Sequence, residues 1–159
     1  MARLVLQEIQ SAKLLVDNKD EWVSVEAGLV VYICFLSNPI WTNEATTKET
    51  IKKMVSPIFQ LSTQWREEEK KKRPIEEVGG DILIIPQASL GGKIKQKNLQ
   101  FHGLIDKPRG LELYQQFIDE CILLTKTLNI KSEVRHGTYG NRQGLHFVSN
   151  GPNTIALDF

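Results

Sequence analysis

The segment Ile85-Pro86-Gln87-Ala88-Ser89-Leu90-Gly91-Gly92 ends an apolar run in a proline, then opens into small and polar residues closed by two glycines. Such a corner can turn successive backbone N–H groups into one cleft, and fixed N–H donors stabilise the oxyanion that forms when an acyl group is attacked. An ordinary strand-to-loop turn has the same composition. Ser89 is a candidate nucleophile, but it does not stand in a G-x-S-x-G elbow, and no histidine is spaced near it to act as its base. A Ser-His triad would have to be assembled from residues distant in the chain. Two further stretches carry candidate chemistry. Lys93, Lys95, Lys97, His102, Lys107 and Arg109 form a basic run with Phe101 among the charges, suited to a phosphate backbone or simply to water. Asn150-Gly151-Pro152-Asn153-Thr154 is a turn sequence in which proline fixes one φ and X-Pro admits either peptide isomer.

No metal chemistry is expected, because neither C-x-x-C nor H-E-x-x-H occurs and His102, His136 and His146 stand singly. Cys34 lies in an apolar strand-like run and Cys121 on a helical apolar stripe, so both read as buried reduced thiols. The longest apolar run, from Gly28 to Leu36, is about half the roughly 18 residues of a membrane span. The first ten residues mix charge and apolarity and do not form a signal peptide, so an intracellular, cytoplasmic protein is expected. Twenty Lys+Arg against nineteen Asp+Glu leave a net charge of +1, so any nucleic acid must be held by a local patch. The 159 residues, 41% apolar, suffice for one domain spanning the whole chain.

These stretches must be positioned by a scaffold. Arg3 to Val16 reads as a strand with its loop, Trp22 to Val25 resumes the sheet, and Leu29 to Leu36 reads as a central strand buried on both faces. Thr46 and Glu49 have capping-box spacing, and Ile51, Met54, Val55, Ile58 and Phe59 follow with helical period. Pro57 is expected to end that helix, with a short strand after it. Glu67 to Arg73 reads as a solvated loop and Asp81 to Ile85 as a strand stopping at Pro86. A second amphipathic helix covers Gly110 to Leu128, and three short strands follow near 132–136, 145–149 and 154–159. The absence of regular βαβ units predicts mainly antiparallel sheets with helices packed outside.

In these motifs the chain resembles the D-aminoacyl-tRNA deacylase family, whose signatures are a strand-end S-Q-x-x-L and a late N-x-P-x-T. Both occur in order, the first as Pro86-Gln87-Ala88-Ser89-Leu90 with proline replacing the serine, the second as Asn150-Gly151-Pro152-Asn153-Thr154. Together with His136 to Gln143, the segment Pro86 to Gly92 is most similar to the animal-type paralogue branch with relaxed chiral selectivity. The likeness runs from about Gly28 to Phe159, with divergent loops at Asn38 to Thr47 and Arg66 to Val78. The resemblance implies an α/β (α+β) fold, mainly antiparallel sheets forming a barrel-like core with two outer helices. It also implies a homodimer that needs no cofactor and hydrolyses the ester joining an amino acid to tRNA.

On that resemblance the amides around Gln87, Ala88 and Ser89 are the catalytic groups, assisted by the 2′-hydroxyl of the tRNA, and Ser89 is a liner. Pro86, Leu90, Tyr139, Arg142, Asn150, Gly151, Pro152 and Thr154 are expected to shape the substrate site, the Gly151-Pro152 element reaching across the subunit interface. In typical members that bond is cis and its carbonyl blocks an L side chain; in the paralogue branch it is trans. A trans bond is expected here, with Arg142 hydrogen-bonding near the turn. Ala88, where typical members carry an aromatic residue, implies a roomier pocket that admits L-alanine as well as D-amino acids. Lys93, Lys95, Lys97 and His102 are expected to contact the acceptor stem. Two other readings remain open: a tRNA-end-binding module without turnover, and a small-molecule esterase or amidase using Ser89.

Overall fold

The computed structural model describes residues 1–159. Strand β1 (Ala2–Ile9) is followed after a bend at Gln10 by β2 (Ser11–Leu15), then β3 (Trp22–Val25) and β4 (Gly28–Phe35). Helix α1 (Glu44–Gln60), the hairpin β5 (Ser62–Arg66) and β6 (Lys71–Pro74), and the single turn of α2 (Ile75–Val78) lead to β7 (Asp81–Pro86). A 3-10 turn (Ala88–Gly91) and the hairpin β8 (Lys93–Lys95) and β9 (Asn98–Gln100) precede α3 (Lys107–Thr127). Strands β10 (Val134–His136), β11 (Gly144–Val148) and β12 (Thr154–Asp158) complete the chain.

Five strands form the central sheet in the order β10-β7-β4-β1-β12. Strands β10, β7 and β4 are mutually parallel, whereas β1 runs antiparallel to both β4 and β12. The segments from β4 to β7 and from β7 to β10 are therefore two crossovers. Each contains a long helix, and successive right-handed crossovers in one direction place their helices on one face. That face carries the larger core, where α1 and α3 meet Leu29, Val31, Ile33 and Phe35 of β4 and Ile82 and Ile84 of β7. Val30, Leu83 and Ile85, the alternate residues, face a second core covered by the three-stranded sheet β11-β2-β3. The result is helices, mixed sheet, then a small antiparallel sheet.

This corrects the expected architecture in two respects. No sheet closes into a barrel, since the central sheet ends at β10 and β12 and the small sheet is separate. There are also three helices, not two outer ones, the third being the short α2. The parallel pairs escaped the sequence reading because each crossover is interrupted by a β-hairpin, which disguises the βαβ period. Helix α1 also passes through Pro57 instead of ending near it. Ile58 and Phe59 beyond the proline are fully buried, so their burial offsets the one hydrogen bond that Pro57 cannot make.

Pro86 sets the end of the central ladder. Ile82 N–H donates to the Glu133 carbonyl at 2.8 Å, and alternation along β7 aims the position of the Pro86 nitrogen at the Gly137 carbonyl, where proline has no N–H to give. The buried Tyr114 hydroxyl on α3 stands 3.0 Å from that carbonyl and 3.0 Å from the Ile84 carbonyl. Burial holds this phenol strongly above its ordinary pKa, so it remains a donor. Tyr114→Phe should strand the Gly137 carbonyl and lower stability by about 1–3 kcal/mol, as read from urea unfolding.

Candidate active site

The carboxyl ends of the three parallel strands lie side by side, where open α/β sheets bind their ligands. Phe35, Pro86 and His136 end these strands, and a cleft of about 410 Å³ opens beyond them. Ile33, Cys34 and Phe35 form one wall, Pro86, Gln87 and Ala88 a second, and the segment Tyr139 to Arg142 a third, with Leu104, Ile105 and Lys107 closing the mouth. Helix α3 approaches this mouth through Gly110, where a Cβ would lie 2.1 Å from the Tyr139 hydroxyl. The Gln143 amide folds the third wall by accepting from Thr138 N–H at 2.7 Å and donating to the Thr138 carbonyl at 3.2 Å.

At the end of β7, Gln87 N–H donates to the Ile33 carbonyl at 2.8 Å and so completes the ladder to β4. The chain then coils into its 3-10 turn, in which Leu90 N–H donates to the Gln87 carbonyl at 3.3 Å and Gly92 N–H to the Ser89 carbonyl at 3.1 Å. A 3-10 turn cannot use its own first N–H groups, and here these belong to the exposed Ala88 and Ser89. Gln87 Nε2 donates to Ser89 Oγ at 2.9 Å and holds the hydroxyl beside the turn. Of the three residues expected to supply amides, Gln87 thus has its own N–H engaged, while those of Ala88 and Ser89 have no partner within the turn; Ala88 lines the cleft, and Ser89 lies next to it in the turn, outside the lining.

No aspartate, glutamate or histidine lines the cleft. Burial raises the pKa of the Cys34 thiol and, as the main cause, that of the Tyr139 phenol, so neither becomes a base at neutral pH. His136 turns Nδ1 toward the Gly137 carbonyl at 3.2 Å and is absent from the lining. No carboxylate or imidazole therefore stands in the cleft to activate Ser89; the basic side chains of its lining are Lys107 and Arg142, and the turn adds backbone donors.

The other expected site residues fall into two groups. Pro86, Tyr139 and Arg142 line the cleft with Gln87 and Ala88, and Leu90 sits in the adjoining turn. Asn150, Gly151, Pro152 and Thr154 lie toward the other end of the sheet, because Thr154 pairs with Gln7 while Pro86 is level with Ile33 and Leu4. Three residues along the strands and three strand spacings across them put these levels on the order of 17 Å apart, before the loop is counted. One chain therefore does not bring Arg142 to the Gly151-Pro152 turn. That turn has no cis bond and is tied down locally, with Ser149 Oγ donating to the Gly151 carbonyl at 2.6 Å and Asn153 Nδ2 to Glu8 at 2.6 Å.

Lys93, Lys95 and Lys97 lie on the exposed β8–β9 hairpin, and His102 follows it. The hairpin also exposes Ile94, Leu99 and Phe101. None of these lysines has a carboxylate within 4 Å, whereas Lys70, Lys71 and Arg73 of the other hairpin are paired with Glu67, Glu69 and Glu77. The charged run from Glu67 to Arg73 is thus largely self-neutralised. It forms a hairpin turn and β6 where the sequence suggested a loop.

Residues 5–158 match the family model described as D-Tyr-tRNA(Tyr) deacylase. The chain belongs to the D-aminoacyl-tRNA deacylase family. It is 40% identical over 166 residues to D-aminoacyl-tRNA deacylase 2 of Danio rerio, covering 99% of each chain. It is 38% identical to the Homo sapiens protein of the same name, covering 99% of this chain and 95% of that one. A solved structure described as a probable eukaryotic D-amino acid tRNA deacylase superposes with a TM-score of 0.83 at 34% identity, covering 99% of both chains. The protein is accordingly a hydrolase of the D-aminoacyl-tRNA deacylase type.

In this deacylase the cleft also contains Cys34, Phe35 and Ile105, which sequence patterns did not single out as site residues, and Lys107, which they offered only as part of the basic run. Only their position just past β4 and just inside α3 gives them away, and that depends on knowing that β4 and β7 are parallel neighbours. Gly91 is needed for the turn to seat against this wall: a Cβ there would lie 2.6 Å from Leu104 Cδ2, 2.7 Å from Leu36 Cδ2 and 2.9 Å from Cys34 Sγ. Gly91→Ala should lower stability by about 1–3 kcal/mol in urea unfolding, from overpacking alone.

Proposed function

We propose that this chain hydrolyses the ester of D-aminoacyl-tRNA and of mischarged L-alanyl-tRNA, removing the wrong amino acid before translation uses it. The observation that carries this reading is the pair of amides without a partner in the turn, on Ala88 in the cleft wall and on Ser89 next to it, at a cleft without a carboxylate or imidazole. The aminoacyl-adenosine end of the tRNA enters the cleft, and the ester carbonyl oxygen accepts from these two N–H groups. Water attacks the carbonyl carbon, the negative charge gathers on the held oxygen, and the carbon–oxygen bond to the ribose breaks. A proton from the water ends on the ribose oxygen, with the neighbouring 2′-hydroxyl helping to move it. The donors act most strongly on the charged intermediate, which is the condition for accelerating the step.

Ala88 contributes only a methyl group where the wall meets the substrate, which favours admission of a small L side chain. The trans Gly151-Pro152 bond agrees with the relaxed branch. The separation of that turn from Arg142 within one chain favours a homodimer in which a second copy supplies the turn. The unpaired lysines of the β8–β9 hairpin, joined to the catalytic turn by Gly92 alone, are suited to the acceptor-stem phosphates.

Release of amino acid from D-Ala-tRNA and L-Ala-tRNA, measured side by side, should show cleavage of both. Cleavage of the D form alone would remove the relaxed selectivity, and binding without cleavage of either would replace the enzyme with a tRNA-end-binding module. Ser89→Ala should retain substantial activity, and a fluorophosphonate should not label the protein; complete loss together with labelling would establish a serine esterase instead. Replacing Lys93, Lys95 and Lys97 by alanine should raise KM and reduce the salt dependence by about one unit or less per lysine. An unchanged KM and slope would detach the hairpin from the RNA.

A further inference from the structure

We propose that Arg3 is a positioning residue for the catalytic turn, polarising the Ser89 amide from the far end through the Leu90 carbonyl. The inference rests on the reading of Ala88 and Ser89 as oxyanion donors. Arg3 stands on β1, outside the cleft, and its guanidinium does two things at once. Nε donates to Asp158 Oδ1 at 2.6 Å and Nη2 to Asp158 Oδ2 at 3.1 Å, while Nη1 donates to the Leu90 carbonyl at 3.0 Å. The two bonds to one carboxylate fix the plane of the group and therefore the direction of the third. Asp158 belongs to β12, which pairs with β1, so the fork rests on two neighbouring strands and reaches across to the turn.

The electrostatic consequence follows from the order of the peptide units. Leu90 C=O and Gly91 N–H share one unit, and a cation at the oxygen makes that N–H a stronger donor. Within a 3-10 turn the Gly91 N–H faces the Ala88 carbonyl, and this carbonyl shares its unit with the Ser89 N–H. Polarisation passed along such a chain strengthens the last donor, which is the amide offered to the oxyanion. Leu90 N–H belongs to the preceding peptide unit and donates to the Gln87 carbonyl at 3.3 Å, in the same unit as the Ala88 N–H, so the Ala88 amide is positioned by Leu90 without being polarised through it. Holding Leu90 therefore holds both donors. A positive group at the carboxyl end of the turn also complements its dipole, as a cation does at a helix C-terminus. Lysine could reach Leu90 or Asp158 but not hold the two in one plane.

The test compares steady-state hydrolysis of D-Ala-tRNA by the wild-type chain and by Arg3→Gln, Arg3→Lys and Asp158→Asn, with thermal unfolding of each. Arg3→Gln should lower kcat about tenfold with KM changed by less than about twofold, since the tRNA contacts are untouched. Arg3→Lys should recover part of that loss. Asp158→Asn removes the β1–β12 charge pair but keeps the cation beside Leu90, so its kcat should fall less than that of Arg3→Gln even where the two unfold at the same temperature. An amide proton resonance of Ser89 that moves upfield in Arg3→Gln would report the weakened donor directly. If Arg3→Gln matches the active wild type, or if kcat follows only the unfolding temperature across the three variants, Arg3 is a strand fastener and this inference falls alone. A wild-type chain without deacylase activity overturns it together with the proposed function.

Discussion

The hydrogen bond from Gln87 N–H to the Ile33 carbonyl is where the regular part of this molecule stops and its chemistry begins. It holds β7 to β4 one residue past Pro86, a position where the ladder toward β10 has already failed for want of an N–H. Backbone beyond that point cannot extend the sheet, so it coils into a single 3-10 turn, and such a turn necessarily leaves its leading amides free. The same proline that ends the strand thus creates the donors. Tyr114 completes the arrangement from below, because its hydroxyl occupies the place of the missing donor and lets β7 and β10 end together.

The cleft is chemically plain, and that plainness determines what it can do. Its ionisable groups include a thiol and a phenol whose burial keeps them protonated, and no carboxylate or imidazole reaches it. Backbone dipoles of the turn and the basic Lys107 and Arg142 side chains of the lining are then the groups placed to stabilise a developing negative charge. The rigid sheet beneath is what makes this workable, since donors on a mobile loop would have to be ordered anew for each substrate.

Charge is distributed with a similar economy. Two hairpins project from the two crossovers, and both are rich in lysine. On the β5–β6 hairpin Lys70, Lys71 and Arg73 are matched by glutamates at neighbouring positions, and exposed pairs of this kind add little stability. On the β8–β9 hairpin the lysines have no such partners, and the hairpin begins immediately after the 3-10 turn at the cleft. The local arrangement thus distinguishes two basic stretches that a net charge of +1 cannot tell apart.

The sequence by itself determined the local elements and the identity of the chemical segments. The burial of Leu29 to Phe35, the helical stripes of α1 and α3, the stop at Pro86 and the turn residues at Gly151-Pro152 are all properties of short windows, set by side-chain period and by proline geometry. The two ordered motifs also pointed to the family. What only the tertiary structure decided was the partnership between windows. Parallel pairing of β4, β7 and β10 depends on contacts between residues fifty positions apart, and the hairpins inserted in each crossover hide it from any local pattern, which is why an antiparallel barrel was expected and a layered mixed sheet is found. The same holds for the cleft. Cys34 and Arg3 acquire their places near Gln87 to Leu90 through strand register, Lys107 through the packing of α3, and Arg142 and Gly151 are held apart because they flank opposite ends of β11. Register is a collective outcome of burying both faces of one sheet, and no single stretch of residues contains it.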